Sequence, residues 1–182
     1  MLSRKHAVEL GIHPSTLYRL RDEHALSEIS RGLFRLTEMG DLSEEPLVAV
    51  SKKAPQGVIC LISALAFHGI TTQIPHQVFV ALPRDIKAPK IKSPSLRVFH
   101  YSEPSYVAGI ETHLLDGVQV KIYSPEKTVV DCFKFRNKIG LDVALEALKL
   151  CIEKYKSRPA QFMELARICR VARIMKPYLE VL

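Results

Sequence analysis

Asp116, Glu126 and Lys127 come nearest, by residue type, to the acidic pair and lysine of a metal-dependent nuclease. Their spacing speaks against that chemistry. Glu126 and Lys127 are adjacent and follow Ser124-Pro125, an N-cap and first-turn proline that account for them as a helix start. His68, His76, His100 and His113 stand singly rather than at metal-ligand spacing. Cys60, Cys132, Cys151 and Cys169 lie among apolar neighbours with no C-x-x-C pair, the pattern of buried reduced thiols. The sequence carries no Gly-rich phosphate loop and no nucleophile elbow. We therefore expect no catalytic residue, no metal and no cofactor, and a binding protein rather than an enzyme.

The chemistry that the sequence does offer is cationic. The net charge is +7 over 182 residues, which invites an anionic partner. Residues 1–50 hold 6 basic against 8 acidic side chains and residues 51–182 hold 20 against 11, so the surplus lies in the second part. There, Arg84, Lys87, Lys90 and Lys92 crowd a Pro-punctuated loop, suited to a phosphate backbone or to keeping a surface loop soluble. Lys134, Arg136 and Lys138 form the basic end of a helix, which suits its C-terminal dipole even without a ligand. Arg167, Arg170 and Arg173 recur three apart, either an anion-binding ridge or a solvated face.

The opening residues read as two short helices. Ser3 is a candidate N-cap and Gly11 a candidate stop for the first; Pro14 fits the start of the second, with Leu17 and Leu20 on its apolar side. Two short helices joined by a tight turn are a helix-turn-helix. Ser15, Tyr18, Arg19 and Asp22 point away from the Leu17/Leu20 face, those near the helix N-terminus towards base edges in a major groove, and Arg21 flanks them within reach of phosphate. "EISRGLFRL" then alternates like a hairpin, with Phe34 and Leu36 on one face and Leu33 and Arg35 on the other. A hairpin after a recognition helix is a wing, and Arg31 at its tip suits a phosphate or a narrow minor groove. The expected DNA-binding set is thus Ser15, Tyr18, Arg19, Arg21, Arg31 and Arg35.

A winged helix usually carries a further helix ahead of these two, and Leu2 already belongs to the first one found here, so the expected module, residues 1–40, lacks it. "EMGDLSEEP" is acidic, polar and ends at Pro46, which predicts a linker over 41–50. Residues 51–182 then predict a mixed α/β domain and an α+β protein overall. "GVICLISALAF" reads as a buried helix, "QVFVAL", "LRVFHY" and "VQVKIY" as strands of a small sheet, and the C-terminal half as helices. The apolar stretch Gly57–Phe67 is too short to cross a bilayer and no signal-peptide pattern follows Met1, which predicts a cytoplasmic chain away from membranes.

Several separated motifs, in order, resemble the AbiEi family of antitoxins. They are "LGIHPSTLYRLRDEHALSEISRGLFRL", "CLISALAFHGITTQIPHQVFVALPR", "DGVQVKIYSPEKTVVDCFKFRNKIGLDVALEAL" and "RIMKPYLEVL". The resemblance implies a two-domain protein of a type IV toxin-antitoxin (abortive infection) system. Its N-terminal winged helix would repress its own operon, and its C-terminal domain would counteract a nucleotidyltransferase-like toxin, for which a direct complex is not required. Winged helices often act on inverted repeats, so a second copy on the DNA is also expected.

Overall fold

The computed structural model describes residues 2–23, 25–36 and 44–180. It is an α+β protein with two sheets. The first sheet belongs to the N-terminal module: β1 (Leu2–Ser3), α1 (Arg4–Glu9), α2 (Pro14–Asp22), β2 (Leu26–Ser30) and β3 (Leu33–Leu36), with strand order β1-β3-β2. Ser3 caps α1, accepting from the His6 N–H, and Pro14 opens α2. Arg31 and Gly32 make the turn between β2 and β3, and Gly32 takes a φ of +76° that a side chain rarely adopts. The helices and the hairpin close on Ala7, Leu17, Leu26 and Phe34. Leu2 departs from expectation: it is not helical but pairs with Phe34 of β3, because the hairpin offers it an edge that no local pattern reveals.

The expected linker is largely something else. Residues 37–43 lie outside the described set, and from Glu45 the chain forms α3 (Glu45–Lys53). Pro46, read as the end of a polar run, sits in the first turn of that helix, where a missing N–H costs nothing. Leu47, Val48 and Val50 are buried against one face of the second sheet, on Ile59, Val80, Leu82, Val120 and Ile122.

That sheet contains β4 (Val58–Ile59), β5 (Val78–Pro83), β6 (Leu96–Tyr101), β7 (Ile110–Leu115) and β8 (Val118–Tyr123) in the order β6-β5-β4-β8-β7. β5 and β6 run parallel, as do β4 and β8; the other neighbours are antiparallel. β7 and β8 are joined by Asp116-Gly117, both at positive φ (47° and 74°), the backbone that a tight hairpin turn demands. Alternation sorts the side chains. Val78, Val80 and Leu82 of β5 face α3, while Phe79 and Ala81 face the opposite layer.

The opposite layer is helical. It holds α4 (Leu61–His68), the short α5 (Glu103–Val107), α6 (Pro125–Lys134), α7 (Arg136–Ile139), α8 (Leu141–Tyr155), α9 (Pro159–Ile168) and α10 (Ala172–Leu179). α6 lies in its middle, touching α4, α8 and α9. The stretch read as one helix from Gly57 is in fact β4 followed by α4, since Val58 and Ile59 complete the ladder between β5 and β8. Among the described residues no helix is long and apolar enough to cross a membrane.

Candidate nucleic-acid interface

The second helix of the helix-turn-helix is anchored by its own cap. His13 Nδ1 accepts from the Ser15 N–H at 3.3 Å and lies 2.7 Å from the Ser15 hydroxyl, fixing the first turn of α2. Ser15 and Arg19 are exposed on this helix, and Arg19 lies 3.7 Å from Glu23. Tyr18 is placed differently from its expected outward pose. Its ring meets Phe34 edge-on at 5.5 Å, so the hairpin claims the flank of α2 on which it lies.

Arg21 is likewise occupied. Its guanidinium bonds Asp22 at 2.7 Å and Glu28 at 3.2 Å and lies 5.2 Å from the Tyr18 ring centroid. Its hydrogen bonds to the Asp22 and then the Glu28 carboxylate raise its pKa. Glu28 in turn accepts from the Gly32 N–H at 2.8 Å. Arg21 and Glu28 therefore brace the β2–β3 turn, which carries Arg31, against α2. Arg35 lies on β3, and its side chain is outside the described set.

Arg31 is not alone at the tip. A cleft of about 620 Å³ is lined by Arg31, Lys53, Pro89, Lys90, Ile91, Lys92 and Ser93. Four cations from three separate segments thus converge on one hollow. Burial lowers the Lys53 pKa, and the charge of Arg31 lowers it further against the opposing pull of Glu28. Lys53 had no signal of its own in the sequence; only the Lys52-Lys53 pair closing an unrecognised helix marks it.

The basic loop divides. Because β5 and β6 are parallel, the chain between them must return along the sheet, about 20 Å for six residues. Lys90 and Lys92 end beside the wing, while Arg84, just past Pro83, sits near enough to Lys134 to lower its pKa. Lys87 is exposed but does not line the cleft.

Of the helix-end group, Lys134 turns inward. It donates to the Ser105 hydroxyl at 3.1 Å and sits 5.2 Å from the Tyr101 ring centroid, and burial lowers its pKa. Arg136 bonds the Phe133 carbonyl at 3.0 Å. Lys138 remains exposed, near Phe99 and Phe135. Arg167, Arg170 and Arg173 are exposed and surround a separate cleft at the α9–α10 turn.

The nuclease-like residues are dispersed. Asp116 is in the β7–β8 turn and Glu126 follows the far end of β8, so the length of a strand separates them. Glu126 accepts from the Ser157 hydroxyl at 2.5 Å and lines a cleft of about 490 Å³ with His68, Glu111, His113, Lys154 and Tyr155. His68 bonds the Tyr123 carbonyl through Nε2 at 2.7 Å, and burial lowers its pKa below the ordinary 6.5. The unfolded chain then takes up the proton first on acidification. Stability is expected to fall as pH drops below about 6.5, until folded His68 itself protonates. Urea midpoints of wild type and His68→Gln, measured on either side of that value, should show the variant losing less.

Neither a family model nor a curated protein matches the chain. Among solved structures, the fold is similar to the crystal structure of the RV2827C protein from Mycobacterium tuberculosis. The TM-score is 0.54 at 13% sequence identity, covering 98% of this chain and 75% of that one. At this identity the likeness speaks to architecture, and it agrees with an α+β fold extending over the whole chain.

Proposed function

We propose that this chain is a DNA-binding autorepressor and the antitoxin of a type IV toxin-antitoxin system. The observation that carries the DNA half is the convergence of Arg31, Lys53, Lys90 and Lys92 on one cleft beside a helix-turn-helix. In this reading Ser15 and Arg19 of α2 meet base edges, while the wing-tip cleft receives the phosphate backbone. Tyr18 supports them from behind by packing on Phe34. Two copies on an inverted repeat would double these contacts.

The antitoxin half rests on the AbiEi-like motifs. The partner there is a nucleotidyltransferase-like toxin, counteracted through residues 51–182 without catalysis by this chain. The reading places the protein in the cytoplasm, where the buried thiols of Cys60, Cys132, Cys151 and Cys169 stay reduced.

Fluorescence anisotropy on the chain's own upstream DNA and on a scrambled duplex, at two salt concentrations, tests the DNA half. The expected result is a preference of about a hundredfold or more that persists at the higher salt. Equal and steeply salt-dependent binding to both duplexes would refute base readout. Co-expression with the toxin encoded alongside tests the other half: growth should be restored, and sequence-specific binding without that rescue would leave a plain transcriptional regulator.

A further inference from the structure

The α9–α10 turn holds an arginine in an unusual place. Arg170 has a φ of +61°, in the left-handed region that favours glycine or asparagine. Its surroundings fix it there: Val171 N–H bonds the Ala166 carbonyl at 2.8 Å, and Cys169 and Val171 on either side are buried. The consequence is that Arg170 stands between Arg167 and Arg173, and all three line one cleft of about 520 Å³ with Val171, Ala172 and Ile174. The ion pairs among the described residues engage other cations. Three guanidinium groups on one hollow repel each other unless an anion sits among them.

We propose that this cleft binds a nucleoside polyphosphate. Its volume lies within the range of about 300–1,000 Å³ found for small-molecule sites. Planar guanidinium groups bind phosphate oxygens two at a time, and three of them match the charge of a di- or triphosphate. Val171, Ala172 and Ile174 give a base an apolar wall, on which arginine planes also stack. The first N–H groups of α10, which begins at Ala172, add partial positive charge on the same side. The three arginines are gathered within seven residues around the α9–α10 turn and line one cleft, which favours a compact ligand over a nucleic-acid strand. No residue is shared with the cleft at the wing tip, so the proposal stands apart from the DNA reading.

The test is isothermal titration calorimetry of the full chain with ATP, with inorganic phosphate, and with a DNA duplex. Arg170→Gly removes the guanidinium and places at φ +61° the residue that best tolerates it, so the fold is kept. ATP is expected to bind, and Arg170→Gly to weaken it at least about tenfold. Lys90→Gln/Lys92→Gln should leave ATP affinity unchanged. ATP affinity that survives Arg170→Gly, or the absence of ATP binding, overturns the proposal. Inorganic phosphate binding as tightly as ATP reduces the cleft to a simple anion site and overturns the nucleoside part. Duplex binding lost in Arg170→Gly, with none for ATP, assigns the arginines to a strand instead.

Discussion

Lys127→Met is expected to destabilise the protein by about 3–5 kcal/mol, the cost of leaving a buried charge without its partner. Lys127 and Asp131 are one turn apart on α6, and neither side chain has any exposed surface. The ammonium lies 2.5 Å from Asp131 Oδ2 and 4.0 Å from the Tyr123 ring centroid, with Tyr101 on another side at 4.9 Å. The Cys169 thiol donates to Asp131 Oδ1 at 3.7 Å, which ties the α9–α10 turn to the same pair. Burial pushes the Asp131 carboxyl up, and the charge of Lys127 pulls it back. With lysine gone, the carboxylate must either take a proton or draw water into the middle of the helical layer.

Lys127→Met/Asp131→Leu removes both charges and keeps most of the volume, so it should recover much of the lost stability. Urea unfolding of the two single variants and the double gives the coupling directly. A double variant as unstable as Lys127→Met would show that the loss comes from packing rather than from the unpaired carboxylate. The pair also explains why "SPEKTVVDC" carries a lysine and an aspartate among the buried Val129, Val130, Cys132 and Phe133 of α6: they satisfy each other.

The second large effect is on DNA affinity. Arg31→Ala/Lys90→Gln/Lys92→Gln removes three of the four cations around the wing-tip cleft. Each lost phosphate contact lowers the slope of log affinity against log salt by about 0.9, so the triple variant should bind with a slope shallower by about 2–3. Its affinity at low salt is expected to fall about a hundredfold, on any duplex. The ratio between upstream and scrambled DNA should hold, because backbone contacts carry no sequence information. Arg19→Ala, on the exposed face of α2, should do the reverse and lower that ratio. If the triple variant keeps its salt slope, the cleft takes no phosphate from DNA.

Much of the N-terminal module was legible because its punctuation is local. Ser3, Pro14 and Gly32 each stand where a cap, a first turn or a reversal needs that residue type. What escaped depended on distant partners. Leu2 and Ser3 form a strand only because β3 lies beside them, and Val58–Ile59 are a strand only between β5 and β8. "IETHLL" mixes charge with apolar residues because β7 is an edge strand paired on one side, so its side chains alternate weakly in burial. The acids before Pro46 hid the apolar run Leu47–Val50, which belongs to a helix.

Arg31, Lys90 and Lys92 were legible by residue type; Lys53 and the convergence of all four were not. Arg31, Lys53 and Lys90 are far apart in sequence, and only the parallel β5–β6 connection brings the loop back to the wing. Tyr18 shows the limit of helical-wheel reasoning. Its angle on α2 leaves it at the flank, and the neighbour that decides its pose, Phe34, arrives from a hairpin that the wheel does not contain.

The helix α3 has a bearing on how this architecture can be recombined. It covers one face of the large sheet through Leu47, Val48 and Val50, and its last residue, Lys53, completes the hollow under the wing. The seam between the two halves therefore lies upstream of Glu44, not at Ser51. A chimera that grafts a foreign N-terminal module at Ser51 discards the lid, and Ile59, Val80, Val120 and Ile122 become a greasy strip open to water and to other chains. Spliced ahead of Glu44, the same graft inherits both the lid and one wall of the hollow. Heads can be exchanged between relatives of this architecture only where the newcomer's wing fits a lysine it did not bring.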